Sequence, residues 1–194
     1  SVEQRVGTVG RVHPHLEIKI VDEQGKVVPR GQLGELCVRG YSVMLGYWED
    51  HEKSGEVIDS ARWMHTGDIA EMDEAGFVKI KGRIKDVVIR GGENLFPKEI
   101  EDFLYTHPDV SDVQVIGLPD ARYGEELCAC IILHEHHEIT EESIRQYCAE
   151  HISHNKVPRY VRFFNEFPMT ASGKAQKFKL QEFMRNELDL KEIA

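Results

Sequence analysis

No stretch of the chain approaches the roughly 20 apolar residues needed to span a membrane, and Ser1-Val2-Glu3-Gln4-Arg5-Val6 has no apolar signal-peptide core. The expected compartment is therefore cytoplasmic. Positive charge is also short: 34 acids against 24 Lys and Arg leave a net charge of -10 with His neutral. That field repels polyanions and argues against broad nucleic-acid or anionic-membrane binding, so a phosphate-bearing ligand needs a local basic pocket. Cysteine is scarce and irregularly placed. Cys37, Cys128, Cys130 and Cys148 contain no Cys-x-x-Cys and make no disulfide framework, so they are read as reduced core thiols. A Walker loop is missing too. Ser172-Gly173-Lys174 has its Gly-Lys pair, but Pro168 and Ala175 stand where the pattern requires Gly and Ser or Thr.

What is present is an ordinary globular balance, 41% hydrophobic and 30% charged, in 194 residues. Up to about Lys81, short β-like runs at 16–21, 34–38 and 77–81 are separated by glycine turns, among them Asp22-Glu23-Gln24-Gly25. After Gly82 the pattern changes. Val87-Val88-Ile89 reads as a strand, Gly91-Gly92-Glu93-Asn94 as a turn, and Pro97 opens a helix whose Glu99 and Glu101 suit the positive helix start. Strands follow at 110–118 and 127–133, then a helix capped by Thr140, a strand at 160–164 and a last helix over 178–188. The expected fold class is α+β, with a boundary near 83–86 and no repeats.

Four segments set glycines beside ionisable residues: Gly46-Tyr47-Trp48, His65-Thr66-Gly67-Asp68, Gly82-Arg83-Ile84-Lys85-Asp86 running on to Gly91-Gly92-Glu93-Asn94, and Pro168-Met169-Thr170-Ala171-Ser172-Gly173-Lys174. A glycine lets a ligand approach the backbone, and a carboxylate such as that of Asp68 accepts two hydrogen bonds from a ribose diol. Taken singly, a Thr-Gly-Asp turn is a common surface feature and Lys174 a solvated lysine. His134-Glu135-His136-His137-Glu138 begins like a zinc-protease helix, but Glu138 stands where the second His belongs, so it reads as a solvated turn. No residue is assigned to a metal. Trp48 and Trp63 read as core or rim packing.

In order and spacing, the four segments resemble the C-terminal part of the adenylate-forming enzymes, the family of acyl- and aryl-CoA synthetases, peptide-synthetase adenylation domains and firefly luciferase. The resemblance covers essentially the whole chain. It implies two domains: 1–84 as the β-rich end of the large AMP-binding domain, and 85–194 as the small C-terminal lid. The stretch from Gly82 to Pro97 is most similar to medium- and long-chain fatty acyl-CoA synthetases. Peptide-synthetase domains more often carry Asp where Lys85 stands and Gly-x-Arg where Gly92-Glu93-Asn94 stands, which favours CoA over a carrier protein as acceptor.

The resemblance further implies that a carboxylate attacks the α-phosphate of ATP and that CoA then displaces AMP. Asp68 is expected to hold the ribose hydroxyls and Arg83 the ribose or phosphates. Lys174 is expected to bridge carboxylate and phosphate in the adenylation transition state. Lys85 matches the hinge, and Gly91 and Gly92 the loop brought to the active site for the second reaction. The family's Ser/Thr/Gly-rich phosphate loop and the Tyr-Gly-x-Thr-Glu motif that helps place Mg are not in this sequence and are expected upstream of Ser1. A fragment inactive alone follows, with the rest of the same enzyme as its partner and a mitochondrial address left open. Two other readings remain: an amino-acid-activating domain serving a carrier protein, and a stand-alone, non-catalytic module that binds CoA or a nucleotide.

Overall fold

Alternation of apolar and polar residues builds the first sheet. In the computed structural model, which describes residues 6–190, Leu16–Val21 (β1), Gly34–Gly40 (β2), Met64–Met72 (β3) and Val78–Arg83 (β4) form an antiparallel meander in that order. Ile18, Ile20, Leu36, Ala70, Met72, Val78 and Ile80 share one apolar cluster. Glu35 and Cys37, one residue out of phase with Leu36, face the other side, where Cys37 pairs across the ladder with His65. A short helix, His51–Val57 (α1), is capped by Asp50, whose side chain accepts from the Lys53 N–H, and it buries no residue. Its sequence has no apolar periodicity, so nothing but the Asp50 cap signals a helix there.

Three expectations are corrected in local detail. His65-Thr66-Gly67-Asp68 is no free turn but runs inside β3, between the register pairs Cys37↔His65 and Asp68↔Arg83. A register shift between Glu35 and Cys37 takes up the extra length, and Gly67 bends the chain at φ 69°. Sheet pairing on both flanks outweighs the turn propensity of Thr-Gly-Asp. Likewise only Gly91 and Gly92 turn; Glu93 and Asn94 belong to a strand. Trp48 is 90% exposed and packs in no core, whereas Trp63 lies at a rim with the Lys19 and Arg39 cations each 4.5 Å from its ring centroid.

Chain contacts divide the molecule between Lys85 and Asp86 into two compact units. The second unit contains Val88–Arg90 (β5), Glu93–Leu95 (β6), Pro97–Leu104 (α2), Val110–Asp120 (β7), Gly124–Leu133 (β8), Glu141–His151 (α3), Tyr160–Phe163 (β9) and Lys177–Glu187 (α4). Strand β8 is central: β7 pairs antiparallel along one edge, and the other takes β9 in parallel and β5 at Gly124. Its continuous apolar run reflects burial on both faces. Leu127, Ala129 and Ile131 pack with Ile100 and Leu104 of α2 and Ile144 and Cys148 of α3. Cys128 and Cys130 point the other way, against Leu180 and Met184 of α4 and against Phe167. All four cysteines are free and buried. Pro97 does open α2, and the Thr140 hydroxyl does cap α3 by accepting from the Ser143 N–H.

Candidate functional site

The first group of candidate residues stands on β3 and β4. Antiparallel register sets Asp68 opposite Arg83, and their side chains meet with Nε 2.8 Å from Oδ1. With Asp68 26% and Arg83 51% exposed, this pair contributes little to stability. Its consequence is local: a fixed carboxylate and a cation share one open patch, which suits a sugar diol beside a phosphate.

The strand carrying Asp68 is held by a residue to which the sequence assigned no role. Glu35 Oε1 accepts from the Gly67 N–H at 3.0 Å, and Oε2 lies 2.7 Å from His65 Nδ1. Thr66 adds two contacts: its hydroxyl donates to the Leu36 carbonyl at 2.7 Å and accepts from the Asp68 N–H at 3.1 Å. One carboxylate on β2 therefore anchors the bulge just before Asp68. The Gly-Glu pair at 34–35 hinted at it, but a partner some thirty residues away is not legible in sequence.

Glu35, Cys37 and His65 bring three metal-capable atoms within 4.8 Å of one another. Each already has protein work. Both Glu35 oxygens are engaged, and burial, reinforced by Glu35, pushes the Cys37 thiol up to about 11, so it is protonated at neutral pH. The cluster serves the bulge.

The second group lies between Arg83 and Glu93. Lys85, in the 3-10 turn Ile84–Asp86, is exposed and directly precedes the division between the two units. Gly91 and Gly92 form the two-residue loop joining β5 to β6, with φ 61° and 86°, the double left-handed conformation that such a hairpin loop requires. A Cβ on Gly91 would meet Tyr123 Cδ1 at 3.4 Å, whereas Gly92 opens onto free space. A narrow ligand can pass along its backbone.

The third group is the loop 168–176, closed on itself. Gln176 N–H donates to the Pro168 carbonyl at 2.7 Å, Thr170 N–H to the Lys174 carbonyl at 2.8 Å, and Gly173 N–H to the Thr170 carbonyl at 2.9 Å. The Thr170 hydroxyl accepts from the Lys174 N–H at 3.0 Å. Lys177 pins the loop's exit, with Nζ 2.6 Å from Glu101 Oε1 and 3.1 Å from the Val115 carbonyl. Lys174 itself is exposed, and among the described residues its ammonium meets no hydrogen-bond or ion-pair partner. A fixed backbone carrying a free cation can present charge to a ligand without first breaking an ion pair. Asp68 with Arg83 stands in the first unit; Gly91, Gly92 and Lys174 stand in the second. A depression of about 420 Å³ along α4, lined by Phe178, Gln181 and Arg185 among others, contains none of them.

Residues 1–48 match the family described as AMP-binding enzyme, and residues 99–174 match the AMP-binding enzyme C-terminal domain. The chain is 54% identical over 191 residues to the mitochondrial medium-chain acyl-CoA ligase ACSF2 of Bos taurus, covering 98% of this chain and 31% of that protein. It is 51% identical over 183 residues to the putative acyl-CoA synthetase YngI of Bacillus subtilis, covering 94% of this chain and 33% of that protein. Among solved structures, ATP-bound MatB from Rhodopseudomonas palustris superposes with a TM-score of 0.87 at 35% identity, over 93% of this chain and 36% of that one. The o-succinylbenzoate CoA synthetase MenE of Bacillus subtilis, in complex with its acyl-adenylate intermediate, superposes with a TM-score of 0.85 at 30% identity, over 92% of this chain and 36% of that one. The chain thus spans about a third of the length of the relatives it matches.

Proposed function

We propose that the chain belongs to the AMP-binding, adenylate-forming enzymes and is the C-terminal part of an ATP-dependent fatty acyl-CoA synthetase acting on medium-chain carboxylates. One observation carries the reading: similarity to a medium-chain acyl-CoA ligase extends over 191 residues, 98% of this chain, and so takes in all four segments. In the first half-reaction a carboxylate oxygen attacks the α-phosphorus of ATP. The bond from that phosphorus to the bridging oxygen breaks, and pyrophosphate leaves with the electron pair. In the second, the sulfur of CoA attacks the acyl carbon, the carbon–oxygen bond to AMP breaks, and the thiol proton passes to solvent.

The roles follow from what each side chain offers. Asp68 accepts from the ribose hydroxyls, and Arg83, held beside it, meets the ribose or a phosphate. Lys174 places its ammonium between carboxylate and phosphate, where charge builds as the bond forms, so it acts electrostatically and makes no covalent bond. Lys85 is the hinge about which residues 85–194, the lid, turn relative to 1–84, the end of the large domain. That turn withdraws Lys174 and brings Gly91 and Gly92 to the acyl-adenylate, where the bare backbone of Gly92 lets the thiol-bearing arm of CoA through. Lys85 and Gly92-Glu93-Asn94 favour CoA over a carrier protein. Magnesium would neutralise the phosphates of ATP, and no residue of this chain is assigned to hold it. Among the described residues no helix is long and apolar enough to cross a membrane. Four free cysteines suit a reducing compartment, either cytoplasm or mitochondrial matrix.

The test is the complete enzyme given ATP, CoA and saturated carboxylates of graded length. Equal amounts of AMP and acyl-CoA, greatest at medium length, are expected. ATP cleavage to ADP, or turnover with an amine or a carrier protein in place of CoA, would overturn the reading.

A further inference from the structure

The Gly91-Gly92 turn is clamped from both flanks by groups that the half-reactions themselves do not require. Glu126, on β8, is the most deeply buried charged side chain described, at 1% exposure. Arg90, the residue just before Gly91, faces it: Nη2 donates to Oε1 at 3.1 Å, and Nε lies 2.8 Å from Oε2 off the hydrogen-bond axis, so that second contact is ionic. A carboxylate this deep is tolerated only when paired.

The same guanidinium reaches further. Arg90 Nη1 donates to the Asn155 carbonyl at 3.0 Å, and Asn155 Nδ2 donates at 2.6 Å to Oε2 of Glu93, the residue just after Gly92. Asn155 therefore ties together the two residues on either side of the turn. From the other side the Gly91 N–H donates to the Tyr123 carbonyl at 2.8 Å, and the Arg90 guanidinium lies 5.2 Å from the Tyr123 ring centroid. Two adjacent glycines in the left-handed region have a large choice of conformations to lose, so something must hold them.

We propose that Arg90, Glu126 and Asn155 are positioning residues for the second half-reaction: they hold the Gly91-Gly92 turn in the one shape along which the thiol arm of CoA reaches the acyl carbon. The inference rests on the role given above to that turn. Among the described residues none of the clamp's hydrogen bonds or ion pairs goes to Lys174, so the clamp is expected to act on acyl transfer alone. A buried ion pair suits this task because it has one good geometry, whereas apolar packing tolerates sliding.

The experiment uses the complete enzyme and measures adenylate formation, by carboxylate-dependent exchange of pyrophosphate into ATP, separately from transfer of a supplied acyl-adenylate to CoA. Asn155→Ala, at a part-exposed position, and Glu126→Gln, which keeps shape but removes charge, are each expected to lower kcat/KM for CoA about tenfold, near 1.4 kcal/mol of transition-state stabilisation. Exchange is expected to stay within about twofold, with KM for ATP and carboxylate unchanged. Asn155→Asp, which loses the donor to Glu93 and adds a like charge, should be worse than Asn155→Ala, and adding Glu93→Gln should restore much of the loss. Equal loss in both half-reactions, or no loss in either for Asn155→Ala, would overturn the clamp. Wild-type enzyme unable to pass the adenylate to CoA would instead overturn the function on which it rests.

Discussion

The proposed ribose site at Asp68 and the Lys174 loop place their side chains in opposite ways. Asp68 sits in a sheet, between β2 and β4, with its bulge anchored by Glu35 from a distant part of the chain. Lys174 sits on a loop closed almost wholly by residues within it, and its ammonium is left free. Under the proposed function Asp68 would bind the same nucleotide through both half-reactions and so benefits from long-range anchoring. Lys174 would arrive for a single step and so benefits from a loop whose hydrogen bonds are mostly its own. The Gly91-Gly92 turn is intermediate: its conformation is local, but its clamp reaches to β8 and Asn155.

The sharpest way to break this contrast is to remove the charge at Lys174. Lys174→Ala in the complete enzyme is expected to slow adenylate formation by about 100- to 1,000-fold, the cost of losing one preorganised electrostatic group. Its circular dichroism and melting temperature should not change, since no described contact depends on the ammonium. Asp68→Asn comes next. Weakening the proposed charged acceptor for the ribose should lower kcat/KM for ATP by about 10- to 100-fold, with transfer of a supplied acyl-adenylate also impaired, because under the proposal the same carboxylate holds the ribose in that step.

Glu35→Gln sharpens the contrast from the structural side. It keeps one acceptor and loses the charge toward His65, so the first unit should lose about 1–2 kcal/mol, read by urea unfolding, with a rise in KM for ATP. Thr170→Val is the matching change in the lysine loop. Removing the hydroxyl that accepts from the Lys174 N–H should slow adenylate formation severalfold without changing KM for ATP, because the loop only delivers charge.

The smallest effect is on pH dependence. Burial raises the Cys37 thiol from 9.0 to about 11, and burial raises Cys148 likewise to about 11. A folded-state value above the unfolded one means that the neutral thiol belongs to the native state. The stabilisation is therefore complete below pH 9 and lost as pH climbs toward about 11. Melting curves between pH 8 and 11 should show a decline that Cys37→Ala and Cys148→Ala each flatten, and neither thiol should react with iodoacetamide in the native protein at pH 7.

Much of this was legible in residue order because it is local chemistry. The apolar run of β8, Pro97 opening α2 and Thr140 capping α3 each carry their signal within a few residues. Helix α1 was hidden because His-Glu-Lys-Ser-Gly-Glu-Val has no apolar stripe and buries nothing. The strand through His65 and Asp68 was hidden because its composition speaks for a turn while its pairing comes from both neighbours. The same distance hid Glu35 and Glu126: Glu35 accepts from the Gly67 backbone and Glu126 pairs with the Arg90 side chain, each thirty or more residues away, and a glutamate announces no partner. Asp68 and Arg83 were named separately through a family resemblance, but only sheet register makes them a pair.

The most direct test of the central claim, that two loops of the lid serve two different half-reactions, is a crossed assay of Lys174→Ala and Gly92→Leu in the complete enzyme. Each variant is measured for adenylate formation and for transfer of a supplied acyl-adenylate to CoA. The account predicts a crossed pattern: Lys174→Ala loses the first and keeps the second, while Gly92→Leu keeps the first and loses the second. Parallel losses in both reactions for Lys174→Ala would contradict it.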